Sequence, residues 1–589
     1  MPTALPSVPR TSRNSVWSRR GPGPLYWNTY GYNFPNDAPI PEAQWRANID
    51  WLARDFAPSG YTMANTDGWV EWSTRTTDNG YVISYSDEWE HDWRYWQGYL
   101  HKRGMELGVY YNPLWVTESA LLDRSKTVLG RPDIAVADLV APGDLFSTKG
   151  EGRGLYWVDV NRAGAKEYVQ GYVRYFAELG VRYLRVDFLS WYETGMDAGI
   201  GEVGVRHGRE AYATALSWMD EAAGDTMLLS LVMPQLENDA ELELAHGDMV
   251  RINADADRGG WQRLSGGRQN YQPVWPNWFN PFCGFTGWSH RSGRGQLILD
   301  GDFLMPSTLA DDEERKTMIN LMVIAGSPVT IADTHETIGE YGWVFTNPEL
   351  LALHRAGLVG RPLFRNGLRY WDDPAARDTE RWAGQLPDGS WAVALFNRGD
   401  HDTVTRSIDF AADLGFDGGG TVRDLWAHTE QGGQGSITVS LRPHASRIFR
   451  VTPARGRRYQ AVFAAWGGGA NFNNNHLNHR SIGFVDKLEA ASVGPTVTFA
   501  VQVSNTGNYP IRYRYANAMG YRATMTVIAE RVDGTAVAAP SSVAFPHLSA
   551  WDVWGTVPGE IVLDAGVNLI TVARSASDQG AINLNFIEV

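Results

Sequence analysis

The sequence predicts an α/β chain: a (β/α)8 barrel, then a small antiparallel β domain, then a C-terminal β-sandwich. Three observations predict it. Strand-like and helical apolar runs alternate over residues 23–360. Short alternating runs broken by Gly/Asp-rich turns occupy 361–453. Regularly spaced strand runs, the last at the very C-terminus, occupy 457–589. Residues 1–22 are expected to be an N-terminal arm. A chain of 589 residues is too long for one core, which agrees with several domains.

The elements follow in order. A first strand is expected near Pro24–Trp27. A helix follows over Glu42–Phe56, where Trp45, Ile49, Leu52 and Phe56 fall at helical spacing. Tyr61–Asn65 is the second strand. Asp87–Arg103 is helical with Gly104 as its C-cap. Glu106–Tyr111 is the third strand, leading into Asn112-Pro113-Leu114-Trp115 and a long excursion to about Leu155. Ala163–Leu179 is a helix closed by Gly180, and Val181–Asp187 is the fourth strand. His207–Ala223 is helical. Met227–Val232, Asp248–Asn253 and Gln296–Leu299 are strands five to seven. Glu313–Ala325 is helical, Pro328–Ala332 is the eighth strand, and Pro348–Arg355 is the last helix. A doubly wound sheet is the alternative, but no Gly-rich phosphate fingerprint follows the first strand. Beyond Gly360, runs such as Arg369-Tyr370-Trp371, Ser390–Phe396, Ser436–Val439 and Arg447–Val451 read as antiparallel strands. Pro453–Arg458 reads as a linker, and Thr496–Val503, Ile511–Tyr515 and Asn568–Val572 as sandwich strands.

Composition narrows the function. The net charge of -15 argues against nucleic acid, whose phosphates demand a basic face, and offers nothing to an anionic membrane. Cys283 is the only cysteine, so no intrachain disulfide forms. The first twenty residues carry Arg10, Arg13, Arg19 and Arg20 without an apolar stretch, so they are not a signal peptide. An exported protein with its leader removed is expected, and a monomer. Twenty-five Trp suit large aromatic cores and also sugar binding, because a pyranose CH face stacks on an indole. Loop-like strings hold Trp69, Trp72, Trp115, Trp191, Tyr192, Trp261, Trp275, Trp278 and Trp288.

The chemistry concentrates at strand C-termini, where barrel active sites form. Trp27-Asn28 follows strand one, Asp67-Gly68-Trp69 strand two and Tyr110-Tyr111 strand three. Leu184-Arg185-Val186-Asp187 ends strand four, Arg251-Ile252-Asn253-Ala254-Asp255 strand six, and Asp300-Gly301-Asp302 strand seven. Two carboxylates at the ends of different strands are what retaining glycoside hydrolysis needs, one to attack the anomeric carbon and one to shuttle the proton. Asp187 must stay ionised, which Arg185 or Arg251 would favour; Asp255 must hold a proton, which Asp257 would favour.

This order of motifs, with Gly326-Ser327-Pro328-Val329 after them, resembles glycoside hydrolase family 27 along the whole barrel. The resemblance implies Asp187 as nucleophile and Asp255 as acid/base. It implies substrate contacts from Trp27, Asp67, Tyr110, Trp115, Arg185, Arg251 and Asp302. Galactose-specific members carry two adjacent Asp residues after strand two and a Cys-Glu-Trp-Pro string after strand five. Here Thr66-Asp67 and Leu231-Val232-Met233-Pro234 stand there. The resemblance is strongest to a bacterial branch that acts on α-1,6-glucan and releases isomaltose from the non-reducing end. A polysaccharide or oligosaccharide is therefore the expected partner. An α-galactosidase, a β-L-arabinopyranosidase and a catalytically dead sugar-binding protein are the alternatives. The last domain resembles carbohydrate-binding module family 35, on Tyr513–Asn517, Ser549–Trp554, Ala565–Ile570 and Asn583–Val589. That implies sugar contacts from Trp551 and Trp554. The structural calcium often found there is not expected, since Tyr459-Gln460 and Asn585 replace its acidic ligands. No cofactor is expected. Cys283 with His290 and Gly467-Gly468-Gly469 read as structural, and no metal motif stands out.

Overall fold

The computed structural model describes residues 22–589 apart from 71–72, 150–151, 153, 294, 365–376 and 490–493. The expected arm up to Gly21, Trp72 and the run Arg369-Tyr370-Trp371 lie outside the described residues. Among the described residues no helix is long and apolar enough to cross a membrane.

The barrel strands are β1 Leu25–Asn28, β2 Met63–Asn65, β3 Glu106–Tyr110, β4 Tyr183–Val186, β5 Leu228–Leu231, β6 Met249–Arg251, β7 Ile298–Asp300 and β8 Val329–Ile331. They pair in parallel in the order β7-β6-β5-β4-β3-β2-β1-β8. The chain beyond β7 closes the ring, because Leu304 pairs with Ile331 and its N–H donates to the Thr330 carbonyl at 2.9 Å. Alternation along each strand sends one set of side chains outward to the helices, such as Leu184 and Val186. The other set, such as Arg185, turns inward. Gly108 in β3 is required by close approach, since a Cβ there would lie 2.5 Å from Asn65 Oδ1.

Helices between the strands are α1 Glu42–Asp55, α2 Trp93–His101, α3 Ala165–Glu178, α4 Arg209–Ala223, α5 Glu237–His246, α6 Pro281–Trp288, α7 Asp312–Ala325 and α8 Pro348–Arg355. Caps explain several starts. The Asp92 carboxylate accepts from Tyr95 N–H, which begins α2 later than Asp87; Asp311 caps α7 and Asn347 caps α8. α5 and α6 are helices that the apolar spacing does not single out. The excursion after β3 is a β subdomain of Trp115–Thr117, Val140–Leu145 and Leu155–Val158, which leans Phe146 on the loop after β4.

Beyond the barrel a six-stranded antiparallel sheet contains Arg377–Gln385, Trp391–Phe396 and Ser446–Pro453. The final region stacks two antiparallel sheets, one holding Gly507–Ala516 and Ile582–Glu588, the other Thr496–Val503 and Gly566–Ala573. Their inner faces share one apolar core with the preceding sheet, through residues such as Trp391, Val451, Tyr459 and Phe499.

Candidate active site

Seven charged side chains meet at the C-terminal mouth of the barrel. Arg185 points inward from β4 and is 1% exposed. It reaches Asp300 Oδ2 at 3.0 Å, Asp302 Oδ1 at 3.5 Å and Asp67 Oδ2 at 3.6 Å. Arg251 ends β6 and reaches Asp302 Oδ1 at 2.6 Å and Asp255 Oδ1 at 2.8 Å. Asp302 Oδ2 also accepts the Ala256 N–H at 2.6 Å, fixing the backbone beside Asp255. Two guanidiniums thus knit the ends of β2, β4, β6 and β7 into one floor. Burial drives the Asp302 and Asp67 carboxyls above the usual range, with the arginines opposing.

Asp187 stands directly after β4. Its Oδ1 accepts the Phe188 N–H at 2.6 Å and its Oδ2 accepts the Tyr110 hydroxyl at 2.9 Å. Asn112 Nδ2 holds the Asp187 carbonyl at 2.7 Å. Phe188 has φ 61°, a left-handed turn that lets the following Leu189–Thr194 helix fold away from the carboxylate. Burial raises the Asp187 carboxyl to about 6, against the Arg185 charge and with the help of the Asp255 charge. The lowering expected from Arg185 is present, but burial is the larger effect and the net shift is upward. Both guanidiniums form their ion pairs with other carboxylates. Asp255 is the open member, with 51% of its side chain exposed. Asp257 is not its partner; it forms an ion pair with Arg263 instead.

The two tryptophans expected at the substrate need correction. Trp27 faces outward from β1. It packs 5.5 Å from Trp45 of α1, its Nε1 donates to the Asp333 carbonyl, and none of it is exposed. The inward residue of that string is Asn28, whose Nδ2 donates to Asp67 Oδ2 at 2.8 Å. Trp115 is buried among Tyr111, Phe146 and Trp157 and serves as a wall behind Tyr110. The loop aromatics Trp191, Tyr192, Trp261, Trp275 and Trp288 are likewise buried, whereas Trp69 and Trp278 keep partly open faces. Trp69 is set at φ 66° and anchored by its Nε1 to Asp37 Oδ1. Thr66 and Val232 present no acid to the pocket; both are buried, and Thr66 Oγ1 accepts the Tyr110 N–H.

Asn28, Asn112 and Tyr271 are functional candidates that residue type alone does not single out. Strand alternation, which puts Tyr26 and Asn28 on one face, is the signal for the first.

In the last domain Trp551 and Trp554 stand at one loop end. Trp551 stacks 6.1 Å from His476, and Trp554 Nε1 donates to the Leu477 carbonyl. Asp552 holds Leu477 N–H at 2.6 Å. Asn585 spends its carboxamide on the Arg480 N–H and the Arg480 and Gly483 carbonyls, so the position offers no anionic oxygen to a calcium ion. Among the described residues Glu42, Glu90 and His91 bring ligand atoms within 4.8 Å of one another. The Glu42 oxygens are already taken by Glu90 N–H, His91 N–H and Trp96 Nε1.

Residues 376–451 match the family model of the alpha galactosidase C-terminal beta sandwich domain. The chain is 61% identical to the isomalto-dextranase of Arthrobacter globiformis over 597 residues, covering 100% of this chain and 93% of that protein. The solved structure of Arthrobacter globiformis T6 isomalto-dextranase complexed with panose is similar at 63% identity and TM-score 0.94, covering 100% of this chain and 99% of that one. A GH27 β-L-arabinopyranosidase from Geobacillus stearothermophilus shares the fold at 19% identity and TM-score 0.58, over 75% of this chain and 98% of that one.

Proposed function

The chain belongs to the isomalto-dextranases of glycoside hydrolase family 27, and we infer that it cleaves α-1,6-glucan from the non-reducing end to release isomaltose. One observation supports this: in a chain similar end to end to such an enzyme, Asp187 follows β4, held by Tyr110 and the Phe188 N–H, and Asp255 follows β6, paired with Arg251, at the same end of the barrel. The carboxylates that read galactose in relatives are replaced by Thr66 and Val232. A site built to hydrogen-bond particular hydroxyls discriminates strongly, so their loss favours another glycone.

Each residue takes a role from its contacts. Asp187 attacks C1, held in line by the Tyr110 hydroxyl and the Phe188 N–H. Asp255, exposed toward incoming substrate, gives its proton to the departing O6 and then takes one from the water that hydrolyses the glycosyl-enzyme. Arg251 orients Asp255 through its Nη2 contact, and Arg185 holds Asp67 and Asp302 as fixed acceptors for sugar hydroxyls. Trp69 stands on the β2 side of the pocket and supports the second sugar of the isomaltosyl unit. The open Trp551 face supports sugar binding by the last domain. The enzyme is proposed to be exported, because dextran is too large to enter a cell, to act as a monomer, and to need no metal.

Product analysis tests this. Dextran should yield isomaltose and no glucose in the first turnovers, and p-nitrophenyl galactoside and arabinopyranoside should be turned over far more slowly. Glucose as first product, or faster cleavage of either chromogenic glycoside, would overturn it.

A further inference from the structure

The lobe of residues 265–280, between the helix Trp261–Leu264 and α6, has no regular secondary structure yet is heavily cross-tied. Arg268 donates to the carbonyls of Asn270 and Pro276, both at 2.9 Å. Asn277 and Gln272 exchange two hydrogen bonds, and Asn280 Nδ2 holds the Gly266 carbonyl. Trp275 N–H is received by Gln235 Oε1, and its carbonyl accepts Ala198 N–H. Long irregular loops in compact domains are commonly functional.

On this fixed lobe Tyr271 is 49% exposed, and it meets the partly open Trp278 edge-on at 5.7 Å and 62°. Tyr271 keeps about half of its surface in water on this rigid support, while Trp278 packs partly on the barrel core and beside Gly287 of α6 and leaves the rest of its ring open. Their position says which ligand. The Trp278 carbonyl accepts the N–H of Ala254, the residue before Asp255, at 2.9 Å. The acid/base stands at the leaving oxygen, so a platform beside it underlies the sugars being released, while Trp69 lies across the pocket on loop two.

We propose that Tyr271 and Trp278 form the leaving-group platform, on which the first and second glucoses of the departing α-1,6-glucan stack. This rests on the isomalto-dextranase reading above.

Two substrates separate the possibilities. Dextran presents leaving-group sugars, whereas α-isomaltosyl fluoride presents the same glycone with fluoride alone to depart. Tyr271→Ala and Trp278→Ala should each lower kcat/KM on dextran by about tenfold, mainly through KM. Both should leave turnover of the fluoride unchanged. Trp278→Phe, which keeps a stacking face and the packing on Tyr271, should recover much of the loss. Unchanged dextran kinetics, or equal losses on both substrates, would overturn the platform. Wild-type chain that releases no isomaltose from dextran would overturn the underlying reading, and is distinguishable because it fails before any substitution is made.

Discussion

Asp187 ties pH to both activity and stability. Its carboxyl is raised to about 6 by burial, so the proposed nucleophile is lost to protonation as pH falls below that value. kcat/KM on dextran should show an acidic limb near pH 6. Tyr110→Phe removes a donor to the charged form, so that limb should move upward by roughly half a unit or more. The same raised pKa has a stability sign. Below about pH 4 both folded and unfolded chains hold the proton and no cost arises. As pH rises the unfolded chain ionises first, and above 6 the folded state carries a cost of at most about 3 kcal/mol. Asp187→Asn should therefore be inactive yet melt higher than wild type at pH 7–8, with the gain vanishing near pH 4. An Asn variant less stable at neutral pH would contradict the burial account. That Asp187 joins Arg185 at the barrel mouth is legible in the sequence, because spacing of two along a strand puts both on one face. Trp27 misleads for the opposite reason: sugar-binding chemistry suggests it, but alternation sends it to α1 and leaves Asn28 inside.

At the scale of elements, the loop after β5 ties the loop after β4 to the lobe of residues 265–280. Met233 and Leu236 of that loop, with Asn238, Asp239 and Ala240 in the distorted first turn of α5, sit at left-handed φ, each of order 1 kcal/mol or more above the ordinary helix. The run is held by its contacts. The Met233 carbonyl takes Ser190 N–H at 2.7 Å, Asp239 takes His290 and Arg291, and buried Gln235 joins Thr194 Oγ1 at 3.0 Å to Trp275 N–H at 2.9 Å. Gln235→Ala removes one of the ties between the lobe of residues 265–280 and the loop after β4, leaving the Ala198 N–H on the Trp275 carbonyl. It should raise KM on dextran several-fold with a smaller change in kcat, because it touches neither carboxylate. Equal effects on isomaltosyl fluoride and dextran would contradict a role through the lobe. Barrel strands are legible from their apolar runs and flanking glycines. This loop is not, because side-chain to backbone ties replace periodicity, and left-handed non-glycine residues carry no sequence mark.

At the scale of the molecule, the two β domains behave as one body. Tyr459 OH reaches the Pro387 carbonyl, Gln385 and Gln460 bond across the junction, and Trp391 packs on Phe463 at 5.0 Å. The barrel joins them where Gln296 Nε2 meets the Trp466 carbonyl at 2.8 Å and Arg361 lies over the Trp466 ring. Removing residues 457–589 should uncover apolar side chains such as Trp391 and Val451. The shortened enzyme should aggregate or melt several degrees lower, instead of merely losing affinity for polymer. An unchanged melting temperature would show a detachable module. The three-part architecture is visible in the changing texture of the sequence. The shared core is not, since apolar alternation tells that a strand has an inner face and not which sheet covers it.

The central claim is that Asp187 forms a covalent isomaltosyl-enzyme. The most direct measurement is intact-protein and peptide mass after reaction with 5-fluoro-α-isomaltosyl fluoride, which slows breakdown of such an adduct. One isomaltosyl adduct per chain, on the peptide holding Tyr183–Phe188 and borne by Asp187, is the expected result. An adduct on another carboxylate, or none while dextran is hydrolysed with inversion, would contradict it.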